Sequence, residues 1–181
     1  MAKSKNPSLI QPTALILTTL AVMVRLLPHP ANMTPLGATA IFGGKKLGRP
    51  WNYLLPLGIL FLTDLFLGFH NVMIYVYGSF ILTVFLAEHW QGTGYGKLTI
   101  TAVASSLIFF LVTNFGVWQE GWLYPHTLAG LISSYTMGLP FLRNMVAGDL
   151  IYTLGFFALY NWAAKTKPIQ IFDKRVLAWL N

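Results

Sequence analysis

The sequence predicts an all-α integral membrane protein, a bundle of six transmembrane helices with an outer re-entrant or surface helix, forming one domain over residues 1–181. Three observations predict it. Only 9% of residues are charged and 55% are hydrophobic, against the roughly 25% charged residues of a soluble domain. The apolar residues fall in successive runs near the length that crosses a bilayer, about 19 residues. The basic residues sit in short clusters between those runs, the pattern that sets membrane topology. A net charge of +7 therefore does not indicate nucleic acid, which would need a basic solvated face. The absence of cysteine excludes disulfides, thiolate metal ligands and a thiol nucleophile.

In chain order, the first span is 9–27, free of charge from Asn6 to Val24 and too long for a removable signal. Pro28-His29-Pro30 stops it, because proline cannot donate to the helix and restrains the residue before it. The second, 32–44, is short and rich in small residues (Gly37, Ala38, Ala40, Gly43, Gly44) that allow close backbone approach in lipid. The third is 51–69, with Asp64 in its outer part, and the fourth is 72–87 after the turn Gly68-Phe69-His70-Asn71. The fifth is the charge-free 98–118. Over 119–139, Leu128, Leu131, Ile132 and Tyr135 mark one helix face, while glycines and hydroxyls predict an element lying on or dipping into the outer surface. The sixth span is 140–164, and 168–181 is an amphipathic tail at the interface.

Six crossings put both termini on one side. Ten of the twelve basic residues fall there, so that side is cytoplasmic by the positive-inside bias. The exceptions, Arg25 and Arg143, lie in outer ends of spans, where a cation needs a partner. With them the outer side collects His29, Asp64, His70, Tyr77, Asn114, Trp118, Glu120, Trp122, Tyr124 and His126. This predicts an outward-facing pocket with polar groups converging on aromatic walls. Two alternatives stay open: an ion pair of Arg25 or Arg143 with Asp64 or Asp149 that only fixes helix register, and an aromatic belt formed by Trp118, Trp122 and Tyr124. His29, His70 and His126 lack the spacing of a dedicated metal site, so no metal and no cofactor are predicted. No nucleophile, metalloprotease or phosphate-loop motif is present.

Four blocks carry a resemblance that covers nearly the whole chain: Arg25-Leu-Leu-Pro-His-Pro-Ala-Asn-Met-Thr-Pro-Leu-Gly-Ala to Phe42-Gly-Gly, Thr113-Asn-Phe-Gly-Val-Trp, Tyr124-Pro-His-Thr-Leu-Ala-Gly, and Pro140-Phe-Leu-Arg-Asn-Met-Val-Ala-Gly-Asp. Together they resemble a family of small bacterial transport proteins related to the S components of energy-coupling-factor (ECF) vitamin transporters. The resemblance implies a six-helix bundle of S-component type in the bacterial inner membrane, with cytoplasmic termini and a vitamin pocket near the outer face. The solitary cobalamin-transporting S component is the suggested functional analogue, with His70, His126 or His29 approaching the cobalt of a bound corrinoid. Thr18, four residues after Ala14, stands where coupled S components usually show a second alanine, which counts against docking to a shared ECF energising module, though a partner module and a solitary protein both stay open.

The expected function is uptake of a vitamin or related micronutrient, cobalamin first, by a protein that is not an enzyme. Its expected partners are that ligand and the lipid bilayer. The residues expected at the ligand are Arg143, His126, Trp118, Tyr124 and His70, then Asp64, Tyr77 and Asn114, and Arg143→Ala is expected to abolish binding. The alternatives are a membrane-embedded enzyme using Asp64, Glu120 and a histidine on a lipid-borne or periplasmic substrate, and a structural subunit of a larger complex.

Overall fold

The computed structural model describes residues 23–90 and 92–166, together with Ile16 and Thr19. Among the described residues every regular element is helical: a turn at 23–26, then α1 (Leu36–Lys46), α2 (Trp51–Leu67), α3 (Met73–His89), α4 (Tyr95–Gln119) and α5 (Leu128–Lys165). Most of the expected first span and the whole amphipathic tail lie outside the described residues. Glycine and a hydroxyl cap set several boundaries. Gly68 (φ 94°) and Gly121 (φ 72°) take the left-handed backbone that ends α2 and turns the chain after α4. Thr127 caps α5, its hydroxyl accepting the Gly130 N–H at 3.1 Å.

The centre of the bundle is its shortest helix. α1 packs against each of the other four, and every residue from Leu36 to Lys45 is buried. The small side chains predicted to permit close packing do so: a Cβ on Gly44 would lie 2.7 Å from the Val84 carbonyl oxygen and 2.8 Å from Ala87 Cβ. The helix starts later than the expected short span 32–44, however. The 11 residues of α1 reach only about 16 Å, half of a roughly 30 Å hydrocarbon core, and residues 27–35 before it are not helical.

The expected surface element 119–139 and final span 140–164 are also corrected, because one 38-residue helix, α5, runs through both with Pro140 inside it. Proline removes a helix hydrogen bond, but packing on α4 holds both sides of the break. Ser134 Oγ donates to the Asn114 carbonyl at 2.7 Å, and Ser106 Oγ donates to Asp149 Oδ2 at 2.7 Å. Among the described helices the α4–α5 pair makes the most extensive contact.

The interior mixes two buried apolar clusters with many small polar side chains, and large apolar side chains also face outward. Thr39, Asn52, Thr63, Asp64, Thr101, Ser105, Ser106, Ser134, Asp149 and Thr153 are buried, while Phe66 (79% exposed), Ile74 (76%) and Leu128 (74%) point outward. On α5 the buried face is Gly130, Ser134 and Gly138 at four-residue spacing, and Leu128 and Ile132 face out. α4 is long and apolar enough to cross a membrane, and α2 and α3 are shorter apolar helices.

The end of the bundle away from the 27–35 segment carries Lys45, Lys46, Arg49 and Lys97. Lys45 Nζ donates to the Trp90 carbonyl at 2.6 Å, and Lys46 lies 4.5 Å from the Tyr160 ring centre. Arg49 donates from Nε and Nη2 to the two Glu88 oxygens at 2.8 and 3.0 Å, and Tyr53 donates to the same carboxylate at 3.0 Å. The Arg49 hydrogen bonds hold the Glu88 carboxyl below its ordinary value of 4.5. Its contribution to stability is therefore full above that value and is lost as pH falls through the depressed folded one. Glu88→Gln should lower the thermal midpoint slightly at pH 7, and the difference from wild type should disappear in acid. A difference that grows with acidity would refute this assignment.

Candidate functional site: a cavity at the end of the bundle opposite the lysines

A cavity of about 540 Å³ lies where the 27–35 segment, the start of α1, the second half of α2, the first half of α3, the end of α4 and the first half of α5 converge. Its floor is aliphatic and aromatic: Leu36, Leu60, Val76 and Phe80 belong to a buried apolar cluster, with Phe109 packed edge-on to Phe80. Its α5 wall is Ser134, Met137, Gly138, Phe141 and Met145, one face at helical spacing. Asn32, in the left-handed conformation (φ 61°) that asparagine tolerates, lines the wall with Thr34. The Asn144 amide anchors this segment by donating to the Ala31 carbonyl at 3.2 Å. The volume and the mostly apolar lining with a few hydrogen-bonding groups are those of a small-molecule site.

One fixed cation lines the cavity among the described residues, and it is Arg25. Its Nη2 pairs with Asp64 Oδ1 at 3.0 Å, and its Nη1 donates to the Thr63 hydroxyl and to the Leu60 carbonyl at 3.4 Å. Tyr77 donates to the other oxygen, Asp64 Oδ2, at 2.9 Å. The Arg25 and Asp64 side chains are 13% and 4% exposed. Of the ion pairs the sequence left open, this is the one that forms.

Of the expected ligand residues, Tyr124, His70 and Asn114 line the cavity. Asp64 and Tyr77 stand behind the wall, holding Arg25. Arg143 is exposed and does not line the cavity. It lies two residues from both Phe141 and Met145, about 200° around the helix from that wall. Trp118 and His126 do not line it either, and both build the α4–α5 turn. Trp118 Nε1 donates to the Pro125 and Thr127 carbonyls at 3.1 and 3.2 Å, His126 Nε2 is 2.9 Å from the Gln119 carbonyl, and the two rings meet edge-on at 5.6 Å. His29 sits outside the lining, its ring nitrogens 3.1 and 3.0 Å from the Arg25 and Pro30 carbonyls. Among the described residues no three His, Cys, Asp or Glu side chains gather as a metal site.

Sequence reasoning missed Thr113, Ser134 and the Met137–Met145 face. The usable signal was the four-residue repeat Gly130, Ser134, Gly138, which marks a helix face in close contact. Asp149 lies in the core: Ser106 supplies its hydrogen bond, and the first turn of α1 abuts it at Gly37. Among the described residues it pairs with neither arginine.

No curated protein and no solved structure matches the chain. One family model matches residues 3–171. That match spans nearly the whole chain, from the expected first helix to beyond α5, and so includes every element that builds the cavity. The chain belongs to this family, described as a family of unknown function (DUF6580).

Proposed function

We propose that the protein is a multi-pass membrane protein that binds a vitamin-like or related small molecule in this cavity and carries it across the membrane. The cavity carries the reading: a 540 Å³ space with an apolar floor and a few hydrogen-bonding groups, lined by parts of all five helices. Outward apolar side chains, many buried small polar side chains and the length of α4 favour a lipid surround, as does the resemblance to S components. The size of the cavity favours a ligand of ordinary drug size, which pockets of about 300–1,000 Å³ enclose. A complete corrinoid, the first candidate by resemblance, would need the 27–35 segment and α5 to move apart. An enzyme built on Asp64, Glu120 and a histidine is disfavoured because Asp64 is tied to Arg25 and Tyr77 while Glu120, just past α4, is exposed and does not line the cavity.

The test is to purify the full chain in mild detergent, extract it, record visible absorbance and mass, and titrate it with cobalamin and a panel of smaller vitamins. One small molecule bound per chain and released unaltered is expected, with Arg143→Ala binding it as well as wild type. Chemical turnover, or no binding of any compound, would overturn the reading. Loss of binding in a folded Arg143→Ala would return that residue to the site and move the site off this cavity.

A further inference from the structure

Resting on that reading, we infer that the cavity selects electrically neutral ligands bearing a carbonyl-type acceptor and disfavours free carboxylates and amines. The inference comes from the donors and charges around Arg25. A guanidinium has five N–H donors. Nη1 uses its pair on the Leu60 carbonyl and the Thr63 hydroxyl, and Nη2 uses one on Asp64. The Nε–H and the second N–H of Nη2 have no partner among the described residues, and Arg25 lines the cavity. It therefore offers hydrogen-bond donors to a ligand while its charge is already matched by Asp64.

That balance decides the ligand's charge. Asp64 is itself satisfied, taking Arg25 on one oxygen and Tyr77 on the other. A ligand carboxylate on Arg25 would place a second anion on one guanidinium and leave a net negative charge beside a largely buried ion pair, where charge imbalance is expensive. A ligand ammonium would face the arginine directly. A carbonyl or amide oxygen takes the free donors and adds no charge. The other polar groups of the wall, including Asn32, Thr34, Thr113, Asn114 and Ser134, are neutral, and the ionisable His70 is exposed. The apolar floor then takes the ligand's body.

The experiment uses the full chain in mild detergent and matched acid and amide probes: nicotinate with nicotinamide, and 2-naphthoate with 2-naphthamide. Binding is read by equilibrium dialysis, and the charge of any co-purified compound by mass spectrometry in both polarities. In wild type the amide of each pair should bind roughly tenfold or more tightly than its acid. In Asp64→Asn, where Arg25 keeps hydrogen-bonding neighbours but loses its counter-charge, the order should reverse. Should that variant fail to fold, the wild-type comparison decides alone. An acid bound as tightly as its amide by wild type, or an unchanged order in a folded Asp64→Asn, overturns the inference and leaves the carrier reading intact. If no probe binds, the co-purified compound decides: a neutral carbonyl compound supports the inference, and a carboxylate or amine overturns it. A protein that carries nothing and binds neither probes nor vitamins refutes the underlying reading instead.

Discussion

Asp64→Ala is expected to destabilise the protein by about 3–5 kcal/mol, the cost of removing one partner of a buried ion pair. The magnitude follows from what is left behind. Arg25, 13% exposed, would keep a full charge whose hydrogen-bond acceptors among the described residues are the Leu60 carbonyl and the Thr63 hydroxyl. The Tyr77 hydroxyl would lose its acceptor as well. An exposed pair would cost only about 0–1 kcal/mol, so the two cases are separable by chemical unfolding in detergent. The double variant Arg25→Met with Asp64→Leu should recover much of the loss, because replacing both charges with apolar groups leaves no orphan charge. A loss below about 1 kcal/mol for Asp64→Ala would mean that water reaches the pair freely and that it is not part of a closed wall.

The second large effect is at Gly37, where helix propensity and packing predict opposite signs. Alanine is favoured over glycine in a helix interior by about 1 kcal/mol. Packing forbids it: a Cβ there would overlap Asp149 Oδ1 and lie 2.7 Å from Cγ and 2.8 Å from Oδ2. The carboxylate cannot withdraw without giving up Ser106, its one hydrogen-bond partner among the described residues. Overpacking costs about 1–3 kcal/mol and orphaning a buried acceptor adds about 1–3 kcal/mol, so, less the propensity gain, the net expectation for Gly37→Ala is a loss of about 1–5 kcal/mol. Gly37→Ala combined with Asp149→Ala should be more stable than Gly37→Ala alone, since the second change vacates the space the new methyl needs. Simple additivity of the two losses would show that the close approach of α1 to Asp149 is not what constrains Gly37.

The closeness of α1 to Asp149 also accounts for an acid in the middle of the bundle without a cation beside it. The first turn of a helix carries unsatisfied N–H groups and the positive end of its dipole, and α1 begins at Leu36, one residue from the glycine that abuts the carboxylate. Because α1 starts only at Leu36, after the non-helical residues 27–35, its N-terminus lies beside the buried carboxylate.

Much of the helix pattern was legible in the chain. The stretches 51–69, 72–87 and 98–118 became Trp51–Leu67, Met73–His89 and Tyr95–Gln119, because long apolar runs between glycine, proline and charge leave the backbone few choices. The end of the bundle that would hold a pocket was legible too, since lysines gather at one end and the mixed polar and aromatic residues at the other. Residues 128–139 were misread because their glycines and hydroxyls were taken as the mark of a surface element, whereas Gly130, Ser134 and Gly138 pack and Leu128 and Ile132 face out.

What the sequence by itself determined was composition-driven: helices, their approximate limits, and the ends at which charge collects, all set by local propensity and by the cost of burying charge. The tertiary structure decided which side chains meet. Arg25 finds Asp64 at a separation of 39 residues, Gly37 meets Asp149, and Arg143 turns away from the wall that its neighbours Phe141 and Met145 build. Such choices depend on the rotation and depth at which each helix docks, and these are fixed jointly by all the small-residue contacts around α1, a property no single segment carries.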